Sequence, residues 1–161
     1  MQDIEYIGEH LLPGQLGHFF VLSALVTALL CILSFRKATL APADQSWLKL
    51  SRIAWIFHAI SVLSVIGMIF FMMLSQFYEY RYVWDHVSDD LPLKYIFSAF
   101  WEGQEGSFLL WMFWHVVLGS VVILTAKKWE PGVMTWVSGV QLILASMIAG
   151  GYFADDFRMG S

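Results

Sequence analysis

The chain has 161 residues, of which 58% are apolar and only 14% are charged, and its formal net charge is −4. This charged fraction lies far below the roughly 25% of an average soluble domain, so the composition indicates a membrane protein. No basic patch suits nucleic acid, and the single cysteine, Cys31, excludes a disulfide within the chain. Cys31 falls in an apolar run and is interpreted as a small core residue.

The first predicted transmembrane helix covers residues 16–35, which carry no formal charge. Twenty residues at about 1.5 Å each cross a hydrocarbon core of roughly 30 Å. Residues 36–52 follow with a net charge of +3 and with Pro42 as a helix breaker. A short basic loop of this kind belongs in the cytoplasm.

Residues 53–77 form a second uncharged run that is long enough to span with some tilt. The loop at residues 78–106 then has a net charge of −4 and is rich in tyrosine, phenylalanine and tryptophan. Since the preceding loop is basic, we expect this acidic loop on the outer side.

The third predicted span covers residues 107–126, and the fourth covers residues 132–154. The short turn between them is basic and contains Pro131 and Gly132, which we interpret as helix breakers. Both basic loops favour one orientation. The prediction is an all-α membrane protein with four transmembrane helices and with both termini outside.

The second half of the outer loop has a helical pattern of its own. Asp89 and Asp90 are suitable cap residues, and Pro92 suits a first turn. Apolar side chains then recur at helical spacing, at Leu93, Ile96, Phe97 and Phe100. This predicts a short amphipathic helix on the membrane surface, acting either as an interfacial anchor or as part of a ligand site.

Residues 101–106 must turn from this helix into the third span. Gly103 and Gly106 permit a positive φ or a close backbone approach, and Glu105 falls where a carboxylate complements a helix N-terminus. A turn-and-cap role explains these residues as well as a functional one does.

Three histidines, His18, His58 and His115, lie in or near the apolar runs. Ionisable residues at membrane depth are costly, which makes each of them a functional candidate. His18 and His115 are expected on the same side of the bilayer, and imidazole is a usual axial ligand of haem. The alternative is a neutral histidine that is hydrogen-bonded across a helix interface. His10 and His86 are expected to be solvated, and no spacing predicts a metal site.

The segment at residues 91–111 resembles a motif of bacterial cytochrome c maturation proteins of the CcmF/NrfE type. Thirteen of its twenty-one positions match at fixed spacing: Leu91, Pro92, Tyr95, Ser98, Ala99, Trp101, Gly103, Glu105, Gly106, Ser107, Leu109, Leu110 and Trp111. In addition, residues 17–19, Gly-His-Phe, are similar to a tripeptide found early in many members.

The resemblance implies a component of a membrane haem lyase, which handles haem and supports its covalent attachment to apocytochrome c on the outer face. It implies haem as the cofactor, other cytochrome c maturation proteins as partners, and the bacterial inner membrane with the main loop periplasmic. Family members have many more spans and a tryptophan-rich haem-handling loop that is absent from residues 1–161. We therefore expect one transmembrane unit, the N-terminal part of a longer protein.

Two alternatives stay open. The chain is also compatible with a four-helix cytochrome b-type electron carrier that holds haem between His18 and His115. It is equally compatible with a non-catalytic assembly subunit, in which Gly103 and Gly106 form only a turn. The negative charge of the outer loop would repel haem propionates, so this loop is expected to support the pocket or to face a partner protein more than to bind the carboxylates.

Overall fold

The structure, a computed structural model, describes residues 11–88 and 92–159, and side chains as far as residue 150 apart from that of Leu93. The described chain is helical and contains no strand. Its elements are α1 (Leu11–Leu40), α2 (Gln45–Leu74), α3 (Arg81–His86), α4 (Leu93–Glu102), α5 (Gln104–Thr125), a 3-10 turn (Lys127–Trp129) and α6 (Glu130–Met159). Helices α1, α2, α5 and α6 are long and apolar enough to cross a membrane, which confirms the four predicted spans.

The spanning helices are longer than the uncharged runs that predicted them. Lys37 lies in the last turn of α1, and Lys49 and Arg52 lie inside α2. Long basic side chains can reach interfacial water from a helix end, so a helix need not stop where its charges begin. Helix α2 instead begins after Asp44, whose carboxylate accepts the Ser46 N–H at 3.0 Å.

The interpretation of Pro131 and Gly132 as helix breakers is wrong, because both lie in the first turn of α6. Proline is tolerated there, since the first amide groups of a helix have no partner within the helix. The second predicted span was also placed too late. Helix α2 ends at Leu74, and the chain turns at Gln76, which has a φ of 53°.

The bundle packs α1 against α2 and α6, while α5 packs against α2, α4 and α6. One apolar core runs through the part of the bundle next to α3 and α4 and continues into these two helices. A smaller cluster contains Cys31, Phe35, Ala54, Trp55 and Met134, and Cys31 is fully buried in it. The interpretation of Cys31 as a small core residue is therefore confirmed.

The two ends of the bundle differ in composition. The basic end carries the α1–α2 and α5–α6 connections, and there Arg52 forms a bidentate ion pair with Glu130, with Nε–Oε1 at 2.8 Å and Nη2–Oε2 at 2.5 Å. The aromatic end, which consists of residues 75–88 and 92–103, lies opposite, and there the hydroxyl of Tyr80 accepts the N–H of Gly14 at 2.9 Å. Which end faces the cytoplasm stays a prediction.

Helix α4 forms where the pattern predicted a short helix. Its residues Ile96 and Phe100 are buried, and Phe100 stacks on Phe70 of α2 with ring centroids 4.5 Å apart. Part of the apolar face is thus covered by protein and not by lipid. Pro92 is the residue just before the helix and not in its first turn. Asp89 and Asp90 lie outside the described residues.

Candidate functional site at the α4–α5 corner

The corner between α4 and α5 consists of a single residue, Gly103. Its φ of −73° and ψ of 156° are extended values that any residue adopts, so conformational freedom is not what requires glycine here. A Cβ atom on Gly103 would instead lie 2.9 Å from Nε2 of His86 and 2.9 Å from Cε2 of Tyr82. The corner is closed from behind by two side chains of α3.

Gly106 lies in the first turn of α5 and makes the closest approach in the corner. A Cβ atom there would be 1.6 Å from the carbonyl oxygen of Phe100 and 2.6 Å from the hydroxyl of Tyr82. Neither glycine has a positive φ. Of the two reasons that the sequence offered for these glycines, close backbone approach is therefore the one that applies.

The corner also satisfies carbonyl groups that α4 leaves unpaired at its C-terminus. The last four carbonyls of any helix lack partners within the helix. In α4, the Tyr82 hydroxyl donates to the carbonyl of Phe100, and the Ser107 hydroxyl donates to the carbonyl of Trp101 at 3.0 Å. Ser107 thus fastens the start of α5 to the end of α4.

Tyr82 contacts three parts of the corner: His86 on α3, Phe100 near the end of α4 and Gly106 at the start of α5. Its ring stacks on His86, with centroids 4.5 Å apart and an angle of 24° between the planes. Burial of the hydroxyl and the negative charge of Glu105 both raise the pKa of Tyr82 above its ordinary value. The phenol therefore stays protonated and remains a hydrogen-bond donor to the carbonyl of Phe100.

The prediction of a solvated His86 is wrong. Its ring is half-buried between Tyr82 and Gly103, and its Nδ1 lies 2.9 Å from the carbonyl oxygen of Tyr82. His10 lies outside the described residues. Glu105 occupies the first turn of α5, where a carboxylate complements the positive end of the helix dipole, as predicted.

The same segment and the next turn of α5 carry exposed tryptophans. Trp101 is 44% exposed and Trp111 is 58% exposed. Trp114, one turn further along α5, is 54% exposed. These side chains contribute little to the packing of the described chain, so we call them the tryptophan face. Large exposed aromatic groups that the fold does not need are typical of a surface that meets lipid, a ligand or another protein.

His115 lies beside the tryptophan face and is half-buried. Its Nδ1 is 2.8 Å from the carbonyl oxygen of Trp111, which can only accept, so Nδ1 carries the proton. Nε2 of the neutral imidazole then has a free lone pair, which is the form of histidine that binds haem iron or a metal.

His18 and His58 occupy other surroundings. His18 lies on α1 and is half-buried. His58 lies on α2, is fully buried, and has Nδ1 at 3.0 Å from the carbonyl oxygen of Ala24 on α1. The interpretation of a histidine hydrogen-bonded across a helix interface therefore describes His58.

No signal in the sequence singles out Tyr82, which lies eighteen residues before the carbonyl that it binds. It lies among six tyrosines that composition alone does not distinguish. Only the unpaired carbonyls at the end of α4 pointed to a need for such a donor, and α3 itself was not predicted.

The architecture defines a class of multi-pass helical membrane protein with a short helix folded back onto the bundle. The chain has the fold of a solved structure named cytochrome c haem lyase CcmF, with a TM-score of 0.78 and 20% identity over 92% of this chain. It is 26% identical over 139 residues to the cytochrome c-type biogenesis protein CycK of Rhizobium meliloti. It is 31% identical over 70 residues to CcmF of Pseudomonas fluorescens and 25% identical over 133 residues to CcmF of Haemophilus influenzae.

These similarities confirm the resemblance to the CcmF type of cytochrome c biogenesis protein. They cover 84% of this chain for CycK, 44% for the Pseudomonas protein and 82% for the Haemophilus protein. The chain spans only 20%, 11% and 20% of the length of these relatives, and 25% of the solved structure. No family model matches the chain.

Proposed function

We propose that this chain acts in cytochrome c maturation as one part of a membrane haem lyase, where it supports the covalent attachment of haem to apocytochrome c. The observation that carries the proposal is the α4–α5 corner. Its inner side is held by Gly106, Tyr82 and Ser107, and this arrangement presents Trp101 and Trp111 on the outside. The similarity to CcmF and CycK proteins supports the same assignment.

Haem fits the tryptophan face in one respect and not in another. Indole rings offer flat apolar surfaces for a flat apolar macrocycle. However, Glu102 and Glu105 bring negative charge to the corner, which repels the two propionates. The tryptophan face therefore suits one wall of a haem pocket, with the groups that bind the propionates supplied by other segments. Bound haem supplies the iron and the vinyl groups that react with cysteine thiols.

In this proposal the tryptophan face lies at the outer surface of the bacterial inner membrane. The basic end carries Lys37, Lys49, Lys127 and Lys128, and basic residues favour the cytoplasmic side. The aromatic end then faces the periplasm, where apocytochrome c and other maturation proteins are the proposed partners. Tyrosine and tryptophan side chains at this end suit the headgroup region.

The test is to replace Trp101 and Trp111 by alanine, singly and together, in the complete maturation protein. Both are exposed, so the protein is expected to insert and accumulate normally while holocytochrome c falls. Trp136→Ala is the matched control, since Trp136 is 81% exposed on α6, away from the corner. Normal holocytochrome c in the double variant would contradict a functional role for the tryptophan face.

The second candidate is direct haem ligation by His115, with His18 as the partner ligand. The observation that favours it is the contact of His115 Nδ1 with the carbonyl of Trp111, which leaves Nε2 as the acceptor nitrogen of the ring. It predicts that the chain purified from haem-replete cells has a bis-histidine absorption spectrum, which His115→Ala or His18→Ala removes. A haem-free chain would leave both histidines without this role, while a lowered holocytochrome c in the tryptophan variants would still support the first proposal.

A further inference from the structure

The interior of the bundle contains three polar side-chain atoms that have no hydrogen-bond partner among the described residues. They are Nε2 of His58 on α2, and Oε1 of Gln141 and Oγ of Ser138 on α6. All three residues are fully buried. In a membrane-spanning bundle the surrounding lipid offers no partner either, so atoms of this kind need an internal one.

The protonation of His58 is fixed by its other nitrogen. Nδ1 lies 3.0 Å from the carbonyl oxygen of Ala24 and 3.3 Å from Oγ1 of Thr27. The Thr27 hydroxyl has one hydrogen, and the carbonyl oxygens of Ser23 at 2.6 Å and Ala24 at 3.2 Å both compete for it. Nδ1 therefore faces acceptors and must carry the proton itself. In the neutral imidazole Nε2 is then an acceptor.

The orientation of the Gln141 amide is fixed in the same way. Its Nε2 donates to the carbonyl oxygen of Met112 on α5 at 3.0 Å. Rotating the amide by 180° would place Oε1 against that carbonyl, so the carboxamide oxygen must lie on the other side. The side chain lies within reach of the imidazole of His58, but Oε1 of Gln141 and Nε2 of His58 do not have the geometry of a hydrogen bond. Two acceptors thus meet in the core with no hydrogen between them.

We propose that the bundle core contains a binding site for one water molecule, between Nε2 of His58 and Oε1 of Gln141. Water donates one hydrogen to each acceptor and accepts the hydroxyl of Ser138, which lies on the same face of α6 three residues before Gln141. Three hydrogen bonds are the usual number for a buried water. The site links α1, α2, α5 and α6, because Ala24 and Met112 hold its two acceptors in place.

A small cavity adjoins this site. About 10 Å³ of it is open to the centre of a water-sized sphere, which is close to the space that one water needs. Ala24 and Met112, whose carbonyls bind His58 and Gln141, line it, as do Val62 and Ala145, each four residues after a site residue. All of its lining residues are apolar, so this cavity marks a gap in the packing near the site and not the position of the water itself.

The direct test is solid-state NMR of the full chain in lipid bilayers, with 15N-labelled histidine. We expect the His58 signals, assigned by their loss in His58→Phe, to show a protonated Nδ1 and an unprotonated Nε2. Nε2 should also receive magnetisation from a water proton. A doubly protonated ring, a proton on Nε2 alone, or no transfer from water would each overturn the proposal, since His58 would then bind Gln141 or Ser138 directly or nothing at all.

A matched pair of serine variants gives a second test. Ser138→Ala removes the proposed third partner of the water, whereas Ser146→Ala removes an exposed hydroxyl on the same helix that bonds only the carbonyl of Ile143. Ser138→Ala is expected to lower the unfolding temperature more than Ser146→Ala does and to weaken the water signal at His58. If Ser138 has no partner at all, its removal will be neutral or stabilising, and the water site as proposed is wrong.

Discussion

The inner and outer sides of the segment 101–111 serve different purposes, although both belong to one continuous motif. On the inner side, Gly103, Gly106 and Ser107 are explained by contacts with α3 and α4. On the outer side, Trp101 and Trp111 make edge contacts with Phe100 and Phe108 but stay largely exposed. One motif can thus contain residues that stabilise the corner and residues that stay exposed and available for binding. Substitutions on the two sides should separate stability from function.

The largest effect is expected from Gly106→Ala. The added methyl group would lie 1.6 Å from a backbone oxygen that cannot move without displacing α4. Such an overlap belongs among the rare losses above about 4 kcal/mol. We expect little folded protein in the membrane, measured by abundance and by resistance to proteolysis. Gly139→Ala is the control, because nothing lies within 4 Å of the added atom, and an abundance equal to that of Gly106→Ala would refute the steric argument.

Tyr82→Phe should have the next largest effect. It leaves the carbonyl of Phe100 without this donor while the ring stacked on His86 is kept. Loss of one partner of a largely desolvated hydrogen bond costs about 1–3 kcal/mol. The unfolding temperature in detergent should fall while the protein still inserts. A variant as stable as the original chain would show that the hydroxyl contributes nothing to the corner.

The raised pKa of Tyr82 gives this interaction a dependence on pH. The unfolded chain releases the phenolic proton above a pH of about 10, while the folded chain retains it because its pKa is higher. The stability from Tyr82 is therefore fully present below pH 10 and is lost as the pH rises beyond it. Unfolding temperatures at pH 8 and pH 11 should differ more for the original chain than for Tyr82→Phe, and equal differences would contradict a buried neutral phenol.

Ser107→Ala should be milder. The hydroxyl satisfies the carbonyl of Trp101, but this contact lies at the surface, where water can replace it. A loss of about 0.5–1 kcal/mol is expected, measured by denaturant unfolding. Ser107→Thr keeps the hydroxyl and should recover most of it. If both variants lose the same stability, the hydrogen bond is not the cause.

The smallest effect on stability is expected from Trp111→Ala, although its effect on function should be large if the proposed role is right. The side chain is more than half exposed, so its removal should change the free energy of unfolding by about 0.5 kcal/mol or less. Unfolding and holocytochrome c are to be measured on the same preparation. A variant that loses both equally would place Trp111 with the structural residues.

The sequence was sufficient to predict the spans, because an uncharged apolar run of about twenty residues is typical of a transmembrane helix. It also predicted helix α4, from the spacing of Ile96 and Phe100, and the position of Glu105 in the first turn of α5. The predicted helix ends were misplaced, because α2 contains Lys49 and Arg52 and so continues beyond the uncharged run. The sequence did not predict the back of the corner, since the contacts of Tyr82 with Phe100 and Gly106 join residues that are far apart in the chain.

The ion pair at the basic end is unequal in its exposure, and this has a consequence for assembly of the bundle. The Arg52 side chain is 48% exposed, whereas that of Glu130 is 1% exposed. If Arg52 is absent, Glu130 is left as a buried carboxylate without its counter-charge, which costs about 3–5 kcal/mol. If Glu130 is absent, Arg52 can turn to water. Loss of Arg52 is therefore expected to weaken the packing of α6 against α2 more than loss of Glu130 does.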